Sequence, residues 1–237
     1  MRSGLGFGGA LFTLPLLLLV DNRPVVYLAL IAVHLLFFTS LTFAQNAFQR
    51  KRQGRKADIF INVDWAFLKK VIPIMIIPKL IGVFGLLTLP DNVMSIIIFS
   101  IVCVYSFNYI LNKNFAPKNK FVEWIFLMLG GYISGTSLIG APLIVAVAAH
   151  QIDKSRLRDT LFVLWFFLVC IKMAVFLYSG VNLWLLNHVW LIPCVFIGHL
   201  VGLKAHNYLL TTETSVFYRV IGSVLLATSV VGLASNI

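Results

Sequence analysis

The chain has 237 residues, 60% of them hydrophobic and only 11% charged, where a soluble domain carries about a quarter charged residues. Too few polar side chains are present to cover a water-facing surface, so a soluble enzyme is excluded and the outer surface must meet lipid. The net charge of +11 would suggest nucleic acid in a soluble protein, but here the basic residues fall in short loops between apolar runs, where they report topology and imply no nucleic-acid partner.

The apolar runs cover about 5–20, 25–48, 66–89, 93–111, 121–149, 160–180, 184–209 and 216–236. At roughly 20 residues per span the length allows about six to eight crossings. The run at 5–20 is short. The run at 121–149 is too long for one straight span and is interrupted by Gly130, Gly131, Gly135, Gly140 and Pro142. At membrane depth such interruptions persist only where they are buried in protein or line a wet cavity. Cys103, Cys170 and Cys194 all lie in apolar runs without metal-ligand spacing and read as packing residues. No metal or other cofactor is expected.

Loop charges set the topology. Arg50, Lys51, Arg52, Arg55, Lys56, Lys69 and Lys70 fall in 49–70, Lys113, Lys118 and Lys120 near 112–120, and Lys154, Arg156 and Arg158 in 151–159. The loops near 88–95 and 180–188 carry neither Lys nor Arg. The positive-inside rule places the first three loops in the cytoplasm and the last two outside. Because 112–120 and 151–159 then share a side, the run between them is expected to enter and return as a hairpin. The alternative is a plain span that violates the charge rule.

The sequence also repeats weakly. Residues 3–20 lie over 130–147, matching Gly4 to Gly131, Gly8 to Gly135 and Pro15 to Pro142. Residues 71–85 lie over 191–205, matching Pro73 to Pro193, Lys79 to His199 and Gly82 to Gly202. Each half then holds one broken motif and about three spans, and an odd number of crossings turns the second half upside down. The expected fold is an all-α polytopic membrane protein, a single domain over 1–237 made of two inverted repeats, about 1–112 and about 118–237. Each repeat carries a broken-helix or re-entrant motif plus about three transmembrane helices, a transporter architecture. The second motif has an apolar arm before its break (121–130) and the first has only Met1, Arg2 and Ser3, so a truncated start is expected.

The breaks predict a site. Unpaired N–H groups and the helix dipole at the start of a half-helix favour an anion, and glycine allows close approach. The expected donors are Gly8, Gly9 and Ala10 in the first motif and Gly135, Thr136 and Ser137 in the second, with Pro15, Gly140 and Pro142 as helix breaks. The competing reading is close helix packing through Gly-x-x-x-Gly spacings, as at Gly4/Gly8, Gly131/Gly135 and Gly198/Gly202. Lys79 and Lys172 lie inside apolar runs with no acidic residue deep in any span, so a bound anion is one expected partner and snorkelling to an interface the other. His199 is a candidate proton-coupling group and equally a structural histidine, and His34 stands likewise. His150, His188 and His206 read as interfacial, as do Trp65, Trp124, Trp184 and Trp190.

The segments GFGGALFTLPLLL, GYISGTSLIGAPLIV, KSRLRDT and FYRVIGSVLLATSVVGL resemble the sulfite exporter TauE/SafE family of four-toluene-sulfonate-uptake-type permeases, over essentially the whole chain. The resemblance implies a permease for sulfite, sulfonates or other small organic anions that does not hydrolyse ATP. One departure is GTSLIGAP, where the family more often has a glycine pair close to the proline. Walker A, HExxH, GxSxG and paired intramembrane aspartates are missing, so no enzyme is expected. The partners expected are a small anionic substrate, the lipid bilayer of a bacterial inner membrane and a coupling proton or cation; a passive anion channel or a non-transporting scaffold of the same fold is the alternative. Oligomeric state is left open.

Overall fold

The computed structural model describes residues 9–52, 60–111, 117, 119–196 and 214–236. Gly8, His199, His206 and the Gly198/Gly202 pair lie outside them. The described residues are helical throughout, with no strand: α1 Gly9–Val20, α2 Pro24–Arg52, α3 Trp65–Thr88, α4 Asp91–Ile110, α5 Lys120–Ser137, α6 Ala141–Gln151, α7 Lys154–Tyr178, α8 Leu185–Phe196 and α9 Thr214–Asn236. Among these, α2, α3, α4, α7 and α9 are long and apolar enough to cross a bilayer, whereas α1, α6 and α8 are shorter apolar helices. The chain is a multi-pass membrane protein.

Local signals place the helix starts. Asp64 caps α3 by accepting from the Phe67 N–H at 3.0 Å, and Asn119 caps α5 by accepting from the Val122 N–H at 2.9 Å. Such caps satisfy donors that the helix itself cannot. Pro73 and Pro78 sit inside α3 without ending it, since packed neighbours in a membrane bundle re-satisfy the freed carbonyls.

The segment 120–151 enters and returns. At its closed end α5 stops at Ser137 and α6 starts at Ala141. At its open end Gln151 donates to Glu123 at 2.6 Å and accepts from Lys70 Nζ at 3.0 Å. Leu127 shares a buried cluster with Ile144, Val147, Ala148 and Ile152 along the arms. The same face of the bundle gathers the basic loops: Arg156 pairs with Asp64 at 3.3 Å and donates to the Val63 carbonyl, while the Asp64 N–H donates to Thr160 Oγ1. On the opposite face Asn22 bonds Asn92 and Asn236 and accepts from Ser95. That knot brings 21–24, the start of α4 and the end of α9 together, on the side where loop charge is low.

Glycine sets the closest helix contact. A Cβ on Gly131 would sit 2.8 Å from the Met75 carbonyl oxygen, and one on Gly135 would collide with the Lys79 carbonyl oxygen. Gly82 of α3 answers with its own close approach to Tyr132 and Thr136 of α5. α3 and α5 therefore run side by side, backbone to backbone, in the manner of small-residue membrane interfaces.

The hairpin has a direct check. Single cysteines in place of Lys120 and Ser155 should react with an impermeant thiol reagent from the same side of the membrane, and one in place of Leu89 from the other. Labelling of 120 and 155 from opposite sides would contradict the returning path.

Candidate anion site

The break at the hairpin tip is held in a costly conformation. Leu138 has φ 60° and Gly140 caps α6, with Pro142 in its first turn. A left-handed non-glycine residue costs on the order of 1–3 kcal/mol and persists only where its surroundings hold it. Gly140 answers a close approach: a Cβ there would run into the Gly130 carbonyl oxygen and lie 2.9 Å from the Ser134 nitrogen.

Ending α5 inside the protein leaves its last carbonyls without helix partners. Two lysines supply them. Lys79 Nζ donates to the Ser134 carbonyl at 3.3 Å and to Ser134 Oγ at 3.1 Å. Lys172 Nζ donates to the Gly135 carbonyl at 2.6 Å and the Thr136 carbonyl at 3.4 Å, and lies 5.4 Å from the centroid of the Phe176 ring. Both side chains are wholly buried, so neither snorkels. The negative end of the α5 dipole and the Phe176 π-face stand where a carboxylate would otherwise be required.

A cavity of about 70 Å³ opens beside the break. A water needs about 10–15 Å³ by this measure, so the space suits a few waters or one small polyatomic ion. Ala10 and Leu11 reach it from the first turn of α1, and Ala141 and Pro142 from the first turn of α6. Lys79, Ser134, Thr39 and Trp165 supply its polar atoms, amid a lining otherwise mostly of leucine, isoleucine, valine and phenylalanine. Thr39 and Ser134 spend their hydroxyl protons on the carbonyls of Leu35 and Gly131. The Trp165 Nε1–H is buried without an acceptor among the described residues. No carboxylate lines the cavity.

The residues picked from sequence divide accordingly. Lys79, Ala10 and Pro142 line the cavity, and Gly9 opens α1 beside it. Gly140 lies at the break. Gly135, Thr136 and Ser137 lie in the last turn of α5, before the break. A helix end offers carbonyls there, and the free N–H groups begin only with α6. The Thr136 and Ser137 hydroxyls donate to the Ile133 carbonyl at 3.1 and 2.9 Å, and the space beside Gly135 is filled by Lys79 backbone. Lys172 contacts the helix end and is absent from the cavity wall. Pro15 sits within a continuous α1: a proline near a helix start removes few intrahelical bonds.

Trp165 was not legible as a site residue, since one tryptophan in an apolar run carries no signal until its N–H is seen to lack an acceptor. His188, expected at the interface, is 5% exposed and packs its ring 4.6 Å from that of His34.

The family model for Sulfite exporter TauE/SafE matches residues 1–232, and the chain belongs to that family of membrane transporters. No curated protein and no solved structure matches it.

Lys172 donates to two carbonyls of the α5 end, those of Gly135 and Thr136. Lys172→Met should therefore lower stability by about 1–3 kcal/mol for each acceptor left unsatisfied. The check is thermal unfolding in detergent, where the variant's midpoint should fall below that of the native protein. An unchanged midpoint would mean that the helix end is satisfied without Lys172.

Proposed function

We propose that this protein moves a small oxyanion across the membrane through the cavity at the hairpin break, without ATP hydrolysis. Sulfite or an organic sulfonate is the class that fits best. The observation that carries the reading is a cavity at the break lined by Lys79 and Trp165, the buried Trp165 N–H having no acceptor among the described residues. A buried donor left unpaired costs about 1–3 kcal/mol, and an oxyanion between Trp165 and Lys79 removes that cost. The first turn of α6 adds free N–H groups and a positive dipole end, and Ala10 and Leu11 bring the other motif to the same cavity. Several acceptor oxygens on one small centre match several donors converging from different helices.

In this reading the motif glycines Gly8 and Gly9 let the chain pass close to the substrate. Gly135 and Thr136 act from behind the site by accepting from Lys172, as Ser134 does from Lys79, and Ser137 by bracing the helix end through the Ile133 carbonyl. The two repeats, about 1–112 and 118–237, move against one another to open the cavity to either side, the usual motion of inverted-repeat transporters. The loop charges orient the protein in a bacterial inner membrane with its basic face in the cytoplasm.

The test is uptake into proteoliposomes of labelled sulfite, thiosulfate, methanesulfonate and a carboxylate of similar size. Saturable flux with counterflow is expected for at least one sulfur oxyanion. Flux that never saturates and shows no counterflow would make the protein a channel, and no flux of any of these anions would remove the reading. Trp165→Phe keeps the ring and deletes the donor. A hydrogen bond to a charged group is worth about 1.5–3 kcal/mol, so KM for the transported anion should rise about 10- to 100-fold. An unchanged KM would take Trp165 out of the site.

A further inference from the structure

We propose that Lys79 and Lys172 act together as the proton-coupling group of the transport cycle. Empty, the pair holds one proton; an anion entering the cavity brings a second, and anion and proton cross together. The inference rests on the anion-transporter reading and adds a second substrate to it.

The two amines compete for one counter-charge. They bond the carbonyls of three consecutive residues, Ser134, Gly135 and Thr136, at a single helix end. That end is worth about half an elementary charge, too little for two ammoniums. An unpaired charge in an apolar interior costs several kcal/mol, and the usual escape is to shed the proton.

Beyond the Phe176 ring against Lys172, no acidic group among the described residues lies close enough to relieve the charge. On the helices packed around Lys79, the acidic groups are at the membrane faces. Asp64 pairs with Arg156, Glu123 bonds Gln151, Asp159 bonds Asn62, and Asp21 beyond α1 pairs with Arg23. Helices α2 and α6 contain no acidic residue. The His34 ring on α2 bonds the Leu30 carbonyl at 2.8 Å and packs on His188. The remaining titratable groups of these helices at this depth, Tyr132 on α5 and Cys170 on α7, are neutral when protonated and offer no counter-charge.

An anion against Lys79 supplies what is missing. The amine takes a proton as the anion arrives, forming one N–H bond with no change of oxidation state, and loses it as the anion leaves. By linkage each ligand raises the affinity for the other. Lys79 touches the cavity and Lys172 does not, so Lys79 is the one that meets the anion. Lys172 contributes through the carbonyls and the shared charge.

Methanesulfonate is the probe, because it is the anion of a strong acid and cannot itself carry the proton. The full-length protein is reconstituted with a pH dye in the lumen and the membrane voltage set by potassium and valinomycin. Uptake should acidify the lumen by about one proton per sulfonate at every voltage, as two-ligand linkage through a single amine requires. Sulfonate entry driven by a positive interior without acidification would overturn the coupling and leave the transporter reading intact. Absence of any saturable flux of sulfonate or sulfite would overturn both. Lys79→Arg places a guanidinium that does not lose its proton in proteins. Flux remaining in that variant should follow voltage with a proton-to-anion ratio near zero, and a native ratio would overturn the assignment to Lys79. If Lys79→Arg does not fold, the ratio measured on the native protein decides alone.

Discussion

A helix that ends inside the membrane is the constraint on which the rest of this structure depends. α5 stops at Ser137, and the last carbonyls of any helix lack partners. Lipid cannot take them. Two lysines reach in from α3 and α7, and their cost of burial is offset by the acceptors they satisfy. Each side of the arrangement would be destabilising alone: unpaired carbonyls without the lysines, uncompensated ammoniums without the helix end. Together they fix where α3, α5 and α7 cross. They also make the interior electropositive at one depth, with the neighbouring carboxylates held at the faces.

The cavity follows from the same geometry. Turning the chain back at Leu138–Gly140 brings the first turn of α6 beside the end of α5, so positive and negative dipole ends lie within a few residues of one another. The negative end is occupied by lysines. Ala141 and Pro142 at the positive end line the cavity, together with Ala10 and Leu11 of α1 from the other motif. The residues that line it include Lys79 and Trp165, and the Trp165 Nε1–H has no acceptor among the described residues.

Much of this was legible in the sequence. The hydropathy runs match the helices closely, because lipid permits only segments that satisfy their own backbone. The hairpin was readable from basic residues on either side of one apolar run. So were Lys79 and Lys172, because a charge amid leucine and phenylalanine has few explanations. What sequence could not supply was the position of the break to within a few residues. Glycines occur on both sides of it, and composition does not say which end of a half-helix faces the ligand. Gly135, Thr136 and Ser137 lie in the last turn of α5, where the groups a helix end leaves free are carbonyls. Trp165 and the His34–His188 stack depend on side-chain direction, which periodicity in a helix apolar all round does not encode.

The motif glycines had two readings, close packing or ligand approach, and the structure shows why these are hard to separate. Gly131 and Gly135 serve packing directly: they let α5 lie against the backbone of α3 at Met75 and Lys79. That contact fixes the height of Lys79 relative to Ser134, and so lets its ammonium reach the Ser134 carbonyl and hydroxyl. A larger residue at Gly135 would push α3 outward and carry Lys79 with it, disturbing the site without touching any ligand. The same holds at Gly140, where close approach to Gly130 and Ser134 sets the distance between the two arms. In this hairpin, small residues specify the chemistry by specifying how near two backbones can come. That explains how a glycine motif can mark a binding site even where its own N–H groups are engaged in the helix.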